Sequence, residues 1–505
     1  QILIFIIISL ICIPVYILRK QYKNLSRYIG SKNFYNLTLS NIIIFFIFYI
    51  LQTIFKYSFL SINELVILFI ISNSFINITK LIIRDTLFFI DKGLNKKKIQ
   101  VAIYGAGSAG GKLAKSLLDD DTYFVAFFID DSPSLIGKFI YGIPVISADS
   151  FISKSNAIDK VFLAIPSLNS KERIILLEKF ENISVQILQI PSLQILKEDI
   201  NTILNFQPIS IEDLLTRDIH KFNFIHNNVN FEKSTIFISG AGGSIGSELC
   251  RQIIKFRPKK IILFELNEEN LYKINNELRE NLKINKSLEI IPILGDAKNI
   301  YSLEKVFSNF EINYIFHASA YKHVPMVEIN PIEGIRNNFL STLYLSNMAI
   351  KYNVNNFVLI STDKAVRPSS IMGLSKRLSE LLVAHHSKNN KGVDTVFCSV
   401  RFGNVIGSSG SVIPLFMKQI SQGGPITLTD PKIERYFMTA QEASQLVIQA
   451  SMISKGGEIF LLDMGEPIKI IDLASKIIKY SGLTIKNSKN PKGDIEVKIT
   501  GLRPG

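Results

Sequence analysis

The chain has 505 residues, with 57 Lys and Arg against 43 Asp and Glu, a net charge of +14 and a mean hydropathy of +0.25. That length suits about three domains, and the composition excludes a disordered, collagen-like or low-complexity chain. Cys12, Cys250 and Cys398 are too scattered for a disulfide framework or a cysteine-rich zinc site, and six histidines show no metal-ligand spacing.

Apolar residues gather at the N-terminus. Ile2 to Leu18 and Asn33 to Phe55 carry no charge. A third run, Leu65 to Thr79, contains Ser72, Asn73 and Asn77 and reaches spanning length by continuing past Lys80. About 20 apolar residues cross a bilayer, so residues 1–90 are expected to hold three spans. Arg19, Lys20, Lys23, Arg27 and Lys32 separate the first two, and Lys92, Lys96, Lys97 and Lys98 come after the third. Only Lys56 and Glu64 mark the remaining turn. The positive-inside rule places both basic segments in the cytoplasm. Residues 1–100 carry 12 Lys and Arg against 3 Asp and Glu. The basic excess therefore reads as topology plus attraction to anionic lipid. A lipid bilayer is an expected partner and nucleic acid is not. The first span would start on the outer side, and the chain opens on Gln1, which together suggest a fragment lacking an upstream span. No basic segment precedes the first run, which argues against a cleavable signal peptide.

From Gln100 the pattern strand, glycine turn, helix occurs twice. The first is Val101-Ala-Ile-Tyr-Gly105-Ala-Gly107-Ser-Ala-Gly110, leading into a helix. A second strand, Phe124 to Ile129, ends at Asp130, 20 residues after Gly110. Glycines allow a tight turn close to phosphate, and the acid suits ribose hydroxyls. This unit, residues 91–190, is short for a full dinucleotide domain. It reads either as a nucleotide site or as a structural domain that keeps its glycines for packing. Residues 191–232, broken by Pro191, Pro208 and Asn227-Asn228, read as an ordered connector with a short helix at 211–217.

The second instance, in residues 233–505, carries more. Ser234-Thr-Ile-Phe-Ile-Ser-Gly240-Ala-Gly-Gly243-Ser244-Ile245-Gly246 is a buried strand and a Gly-x-x-Gly-x-x-Gly turn. Backbone N–H groups at such a helix start attract pyrophosphate. The next strand ends in Glu265, 19 residues after Gly246. An acid there accepts ribose hydroxyls and repels a 2′-phosphate, favouring NAD over NADP. Asp296 ends a third strand, near the expected adenine edge. Asn355 to Ile360 forms another buried strand running into Ser361-Thr362-Asp363-Lys364, and the next helix places Met372 and Lys376 on one face.

The glycine turn, the Ser-Thr-Asp-Lys strand end and the x-x-x-Lys helix resemble the extended short-chain dehydrogenase/reductase superfamily. Ala320-Tyr-Lys-His-Val-Pro-Met326, Arg401 to Pro414 and Thr429 to Thr439 narrow the resemblance. With the N-terminal spans, they are similar to the membrane-bound nucleotide-sugar 4,6-dehydratases of bacterial polysaccharide biosynthesis. The resemblance covers essentially the whole chain. It implies an α/β protein: transmembrane helices, then two Rossmann-like doubly wound parallel-sheet domains, the second of the extended short-chain dehydrogenase/reductase type. It also implies a multi-pass protein of the bacterial inner membrane with its catalytic domain in the cytoplasm, and leaves a homo-oligomer open. Most superfamily members have Tyr where this chain has Met372. The large membrane-bound dehydratases carry Met there, and a thioether has no exchangeable proton.

The implied reaction oxidises the sugar at C4 with NAD, eliminates water across C5 and C6, and returns hydride to C6. In that scheme Asp363 is the acid for the C6 hydroxyl and Lys364 the C5 base. Each would need its pKa tuned by burial or neighbouring charge. Thr362 meets the 4-hydroxyl, Met372 fills space beside the substrate, and Lys376 holds the nicotinamide ribose. Gly240, Gly243, Ser244, Ile245, Gly246, Glu265, Asp296, Ala318, Ala320 and Lys376 are the expected cofactor contacts. Lys322, Arg401, Asn404, Ser411, Arg435 and Arg503 are the expected substrate contacts, the arginines being suited to a diphosphate. The expected substrate is a UDP-N-acetylglucosamine-type sugar nucleotide. The alternatives are an epimerase of the same superfamily and a catalytically silent scaffold that senses nucleotide. Leu502-Arg-Pro-Gly505 ends the chain where related proteins continue, which suggests that part of a C-terminal cap is absent.

Overall fold

The computed structural model describes residues 2–19, 31–55, 60–92, 98–118, 120, 122–165, 168, 170–180, 183, 185–189, 207–208, 231–281, 288–389, 394–408, 410–488 and 490–505. The expected connector helix at 211–217 lies outside them, as do Lys20, Lys23, Arg27, Lys56, Lys96 and Lys97 of the orientation argument. The chain forms two compact units, Gln1–Lys98 and Ile99–Gly505.

The first unit holds α1 (Ile2–Leu18), α2 (Ser31–Ile54) and α3 (Ile62–Lys92). Asn33–Ile54 and Ile62–Ile83, 22 residues each, are long and apolar enough to cross a bilayer. At 17 residues, α1 is shorter. One of the polar residues that weaken the third apolar run, Asn73, has a packing role. Tyr16 Oη donates to Asn41 Oδ1 (2.6 Å), and Asn41 Nδ2 donates to Asn73 Oδ1 (2.8 Å), tying all three helices together. Where hydrophobicity cannot discriminate between helix and lipid, such bonds fix which faces meet.

The second unit opens with β1 (Ile99–Tyr104), α4 (Ser108–Leu118), β2 (Tyr123–Ile129), β3 (Phe139–Ile140), β4 (Ile143–Ile146), α5 (Ala148–Lys154), β5 (Lys160–Leu163), α6 (Ser170–Lys179), β6 (Gln186–Gln189) and β7 (Gln207–Pro208). They make a sheet of order β3-β4-β2-β1-β5-β6-β7, parallel except at its two edge strands.

The second sheet is built from β8 (Thr235–Ser239), α7 (Ser244–Ile253), β9 (Lys260–Glu265), α8 (Glu268–Asn281), β10 (Glu289–Leu294), α9 (Ile300–Asn309) and β11 (Tyr314–His317). Then come α10 (Val324–Ile329), α11 (Pro331–Ile335), α12 (Ser341–Lys351), β12 (Asn356–Ile360), α13 (Ile371–Asn389) and β13 (Val396–Arg401). With β18 (Ile459–Leu461), the strands run in the order β10-β9-β8-β11-β12-β13-β18, all parallel. Every residue of β8 is buried, as expected for a strand covered on both faces. Leu249, Ile253, Leu278 and Val447 fill one face, and Leu303, Phe307, Leu345 and Val383 the other. The strand order reverses between β8 and β11, which places a ligand crevice beyond their carboxyl ends.

Helix α15 (Ala440–Ile453) packs on the second sheet, and a smaller lobe completes the unit: β14 (Asn404–Val405), α14 (Val412–Ser421), β15 (Ile426–Leu428), β16 (Glu434–Arg435), β17 (Phe437–Met438), β19 (Ile468–Lys469), α16 (Ile470–Tyr480), β20 (Ile485–Lys486) and β21 (Ile495–Ile499). Its core is continuous with the first sheet. Phe151, Phe180 and Ile187 share one hydrophobic cluster with Phe416, Ile477 and Tyr480.

Candidate active site

The crevice beyond β8 and β11 is a cavity of about 970 Å³. Its floor is the glycine turn. Gly240 has φ +68°, a backbone state that favours glycine. A Cβ on Gly246 would overlap the Gly240 carbonyl oxygen. Helix α7 starts at Ser244 behind Gly243, which has no side chain to cap it. Gly243, Ser244, Ile245 and Gly246 line the cavity, with Ala318 and Ala320 from the end of β11. A bare helix start facing a cavity of this size fits the pyrophosphate of a dinucleotide.

The two expected ribose and adenine acids are held by backbone. Glu265 Oε2 accepts from Gly242 N (2.9 Å), and Oε1 accepts from Leu266 N and Asn267 N. Asp296 Oδ1 accepts from Lys298 N (2.8 Å). Neither is among the cavity walls.

The opposite wall comes from β12 and α13. Thr362, Lys364, Met372 and Lys376 all line the cavity. After β12 the chain makes a short turn, Asp363–Ala365. Lys364 Nζ lies 3.0 Å from Asp363 Oδ1 and 3.2 Å from Asn404 Oδ1, and Thr362 Oγ1 donates to Asp363 Oδ1 (2.9 Å). The acid–base pair is thus in direct contact and partly buried, with side chains 25% and 31% exposed for Asp363 and Lys364. Lys364 itself faces the cavity; Asp363 stands behind it. Met372 is buried. Lys376 Nζ donates to the Ile360 carbonyl (2.9 Å). Burial pushes the Lys376 amine down to about 8, partly offset by the Glu380 carboxylate.

Of the expected substrate contacts, Lys322, Asn404 and Ser411 line the cavity. Ser411 precedes α14, and its buried Oγ has no hydrogen-bond partner among the described residues. The three arginines are placed otherwise. Arg401 gives its guanidinium to the buried Glu380 carboxylate, Nε at 2.7 Å and Nη2 at 2.6 Å. Arg435 donates to the Glu434 carbonyl, and Arg503 is exposed near the chain end. None of the three is among the cavity walls.

Two further groups escape a reading of the sequence. Asn338, fully buried, holds the loop entering Lys322: its Oδ1 accepts from Tyr321 N and its Nδ2 donates to Tyr321 O and Ser375 Oγ. His317, fully buried at the end of β11, bonds Ser239 Oγ (2.7 Å) and Thr342 Oγ1 (3.1 Å). Burial, aided by the Lys376 charge, holds its imidazole well below the usual range. The Asn337-Asn338 doublet is a signal for the first; nothing local marks the second.

Residues 236–505 match the family described as polysaccharide biosynthesis protein. The capsular polysaccharide biosynthesis protein CapD of Staphylococcus aureus is 38% identical over 442 residues, 83% of this chain and 69% of that protein. A UDP-glucose 4-epimerase of Rickettsia rickettsii is 34% identical over 278 residues, 54% of this chain and 76% of the relative. The X-ray structure of Pen from Bacillus thuringiensis is 34% identical and covers 55% of this chain and 81% of its own, with a TM-score of 0.49. The chain belongs to the polysaccharide biosynthesis protein family, on an α/β fold with two Rossmann-like parallel sheets.

Proposed function

We propose that this protein is a membrane-anchored, NAD-dependent 4,6-dehydratase of a UDP-N-acetylglucosamine-type sugar nucleotide, working on the cytoplasmic side of a bacterial inner membrane. The observation that carries the reading is Lys364 on the cavity wall opposite the glycine turn, paired at 3.0 Å with the Asp363 carboxylate directly behind it and beside a Met372 that offers no phenolic base. The Gly240–Gly246 turn and Lys376 would hold NAD, which would supply a reversible hydride acceptor.

The chain's residues handle the protons. Moving one proton across the 3.0 Å contact converts an Asp363 carboxylate and Lys364 ammonium into a carboxylic acid and a free amine. That form is the working one. Lys364 removes the C5 proton, made acidic by the neighbouring ketone, while Asp363 protonates the departing C6 hydroxyl. Water leaves, and the ion pair is restored. Lys364 then returns its proton to C5, and the proton first lost by the 4-hydroxyl, held meanwhile by a water, replaces the one Asp363 gave up. Asn404 steadies the Lys364 amine, and Lys322 and Ser411 suit the sugar-nucleotide phosphates.

A second reading is favoured by the relative named UDP-glucose 4-epimerase. An epimerase has no elimination for Asp363 and Lys364 to perform. The full chain, in detergent or lipid nanodiscs, is given UDP-N-acetylglucosamine and NAD+, and the product is weighed by mass spectrometry. Loss of one water is expected. An isomer of unchanged mass would replace this reading with the epimerase, and an unaltered substrate would sink both.

A further inference from the structure

Glu380 is a carboxylate with no exposed surface, one helical turn after Lys376 on α13. Taking a lone charge out of water is costly unless it is paired and hydrogen-bonded. Here both oxygens are fully occupied. Oε1 accepts from Ser361 Oγ (2.6 Å) and Arg401 Nε (2.7 Å); Oε2 accepts from Arg401 Nη2 (2.6 Å) and Arg377 Nη1 (3.0 Å). Burial alone would raise this carboxyl, but the bonds from Arg401, Ser361 and Arg377 outweigh it and hold it below the usual range.

The partners matter because of their neighbours in the chain. Ser361 immediately precedes Thr362-Asp363-Lys364. Arg401 begins the run Arg401-Phe402-Gly403-Asn404, whose Phe402 carbonyl accepts from Asp363 N (3.0 Å) and whose Asn404 side chain accepts from Lys364 Nζ. Lys376 shares the helix. One buried carboxylate therefore joins the roots of three segments that converge on the cavity, while standing outside its walls.

We infer that Glu380 is a positioning residue: it sets the geometry of the Asp363–Lys364 pair through Ser361 and Arg401 without touching substrate. This rests on the dehydratase reading. Glu380→Gln keeps the shape but loses the charge and puts an amide N–H₂ against the Arg401 guanidinium. Misplacement by about an ångström costs on the order of 100-fold in rate. The full chain carrying Glu380→Gln is expected to bind NAD normally, keep KM within about threefold and lose roughly 10- to 100-fold in kcat.

A second variant separates positioning from mere charge balance. Glu380→Leu with Arg401→Leu removes the buried pair together, a change that often leaves stability intact, and Arg377 is exposed enough to turn to water. It is expected to melt near the wild type yet keep the kcat loss, because Ser361 Oγ has lost its acceptor. If that double variant regains wild-type kcat, or if Glu380→Gln turns over normally, the inference is wrong. Should Glu380→Gln fail to fold, the double variant alone decides. A wild type that releases no water from the sugar nucleotide overturns the dehydratase reading itself, and this inference with it.

Discussion

The two glycine turns are near copies with different surroundings. Gly105 and Gly240 both have positive φ, and in each turn a Cβ on the third glycine would overlap the first glycine's carbonyl oxygen. In each, the acid ending the next strand accepts from a turn N–H: Asp130 Oδ2 from Ala106 at 2.8 Å, Glu265 Oε2 from Gly242 at 2.9 Å. What differs is the company. The second turn faces Thr362, Lys364 and Lys376 across a cavity. The first has the apolar Ile165 side chain against Gly105, just after β5 ends at Leu163. Such a turn specifies a backbone path; the chemistry comes from the loops that the neighbouring strands deliver to it.

The largest expected effect tests the loops. Asp363→Asn and Lys364→Ala should each lower the water-releasing rate by about 10²–10⁴-fold, the usual range for a lost general acid or base, with NAD binding unchanged. Isothermal titration beside product mass spectrometry reads both, and retained activity in both variants would remove the proposed roles. The second test addresses the turns. Gly246→Val should abolish NAD binding, whereas Gly110→Val should leave one NAD per folded chain. Loss of NAD from the Gly110 variant, with its fold intact by circular dichroism, would make the first turn a cofactor site after all.

Two pH effects are expected. With Lys376 pushed down to about 8, its charge fades above that pH, so turnover should fall on the alkaline side, and Lys376→Arg should move that limb upward. His317 is held neutral in the fold, so the unfolded chain binds the extra proton below its ordinary value of 6.5. Stability is then full above that pH and falls by about 1.4 kcal/mol per unit below it. His317→Asn should flatten the slope in denaturant titrations. The smallest effect is at the exposed arginine: Arg503→Ala should change KM by less than about threefold, since a solvated side chain contributes little.

Contiguous motifs make much of this legible in the sequence. The glycine turns, Asp363-Lys364 and the Met372 to Lys376 spacing each lie within a few residues, so strand and helix periodicity places them directly. Arg401 misleads because guanidinium chemistry suits a diphosphate and a buried carboxylate equally well. Glu380, 21 residues away in sequence, decides between them only once β13 and α13 are packed together. His317 and Asn338 act through partners on other strands and helices, so no local spacing betrays them. In α3, Asn73 reads as a flaw in a membrane span and is instead the third rung of a bond running through Asn41 to Tyr16.

The hydrophobic cluster spanning Phe151, Phe180, Phe416, Ile477 and Tyr480 has a practical corollary. A chain severed at the connector, keeping only residues 232 onward, would leave the apolar sides of α14 and α16 wet. Large greasy patches of that kind drive aggregation. Because α14 also begins at the cavity rim, with Ser411 at its N-cap and Val412 as its first residue, the amputated piece would lose the brace behind one jaw of that cavity. The first sheet is thus the buttress against which the smaller lobe is set.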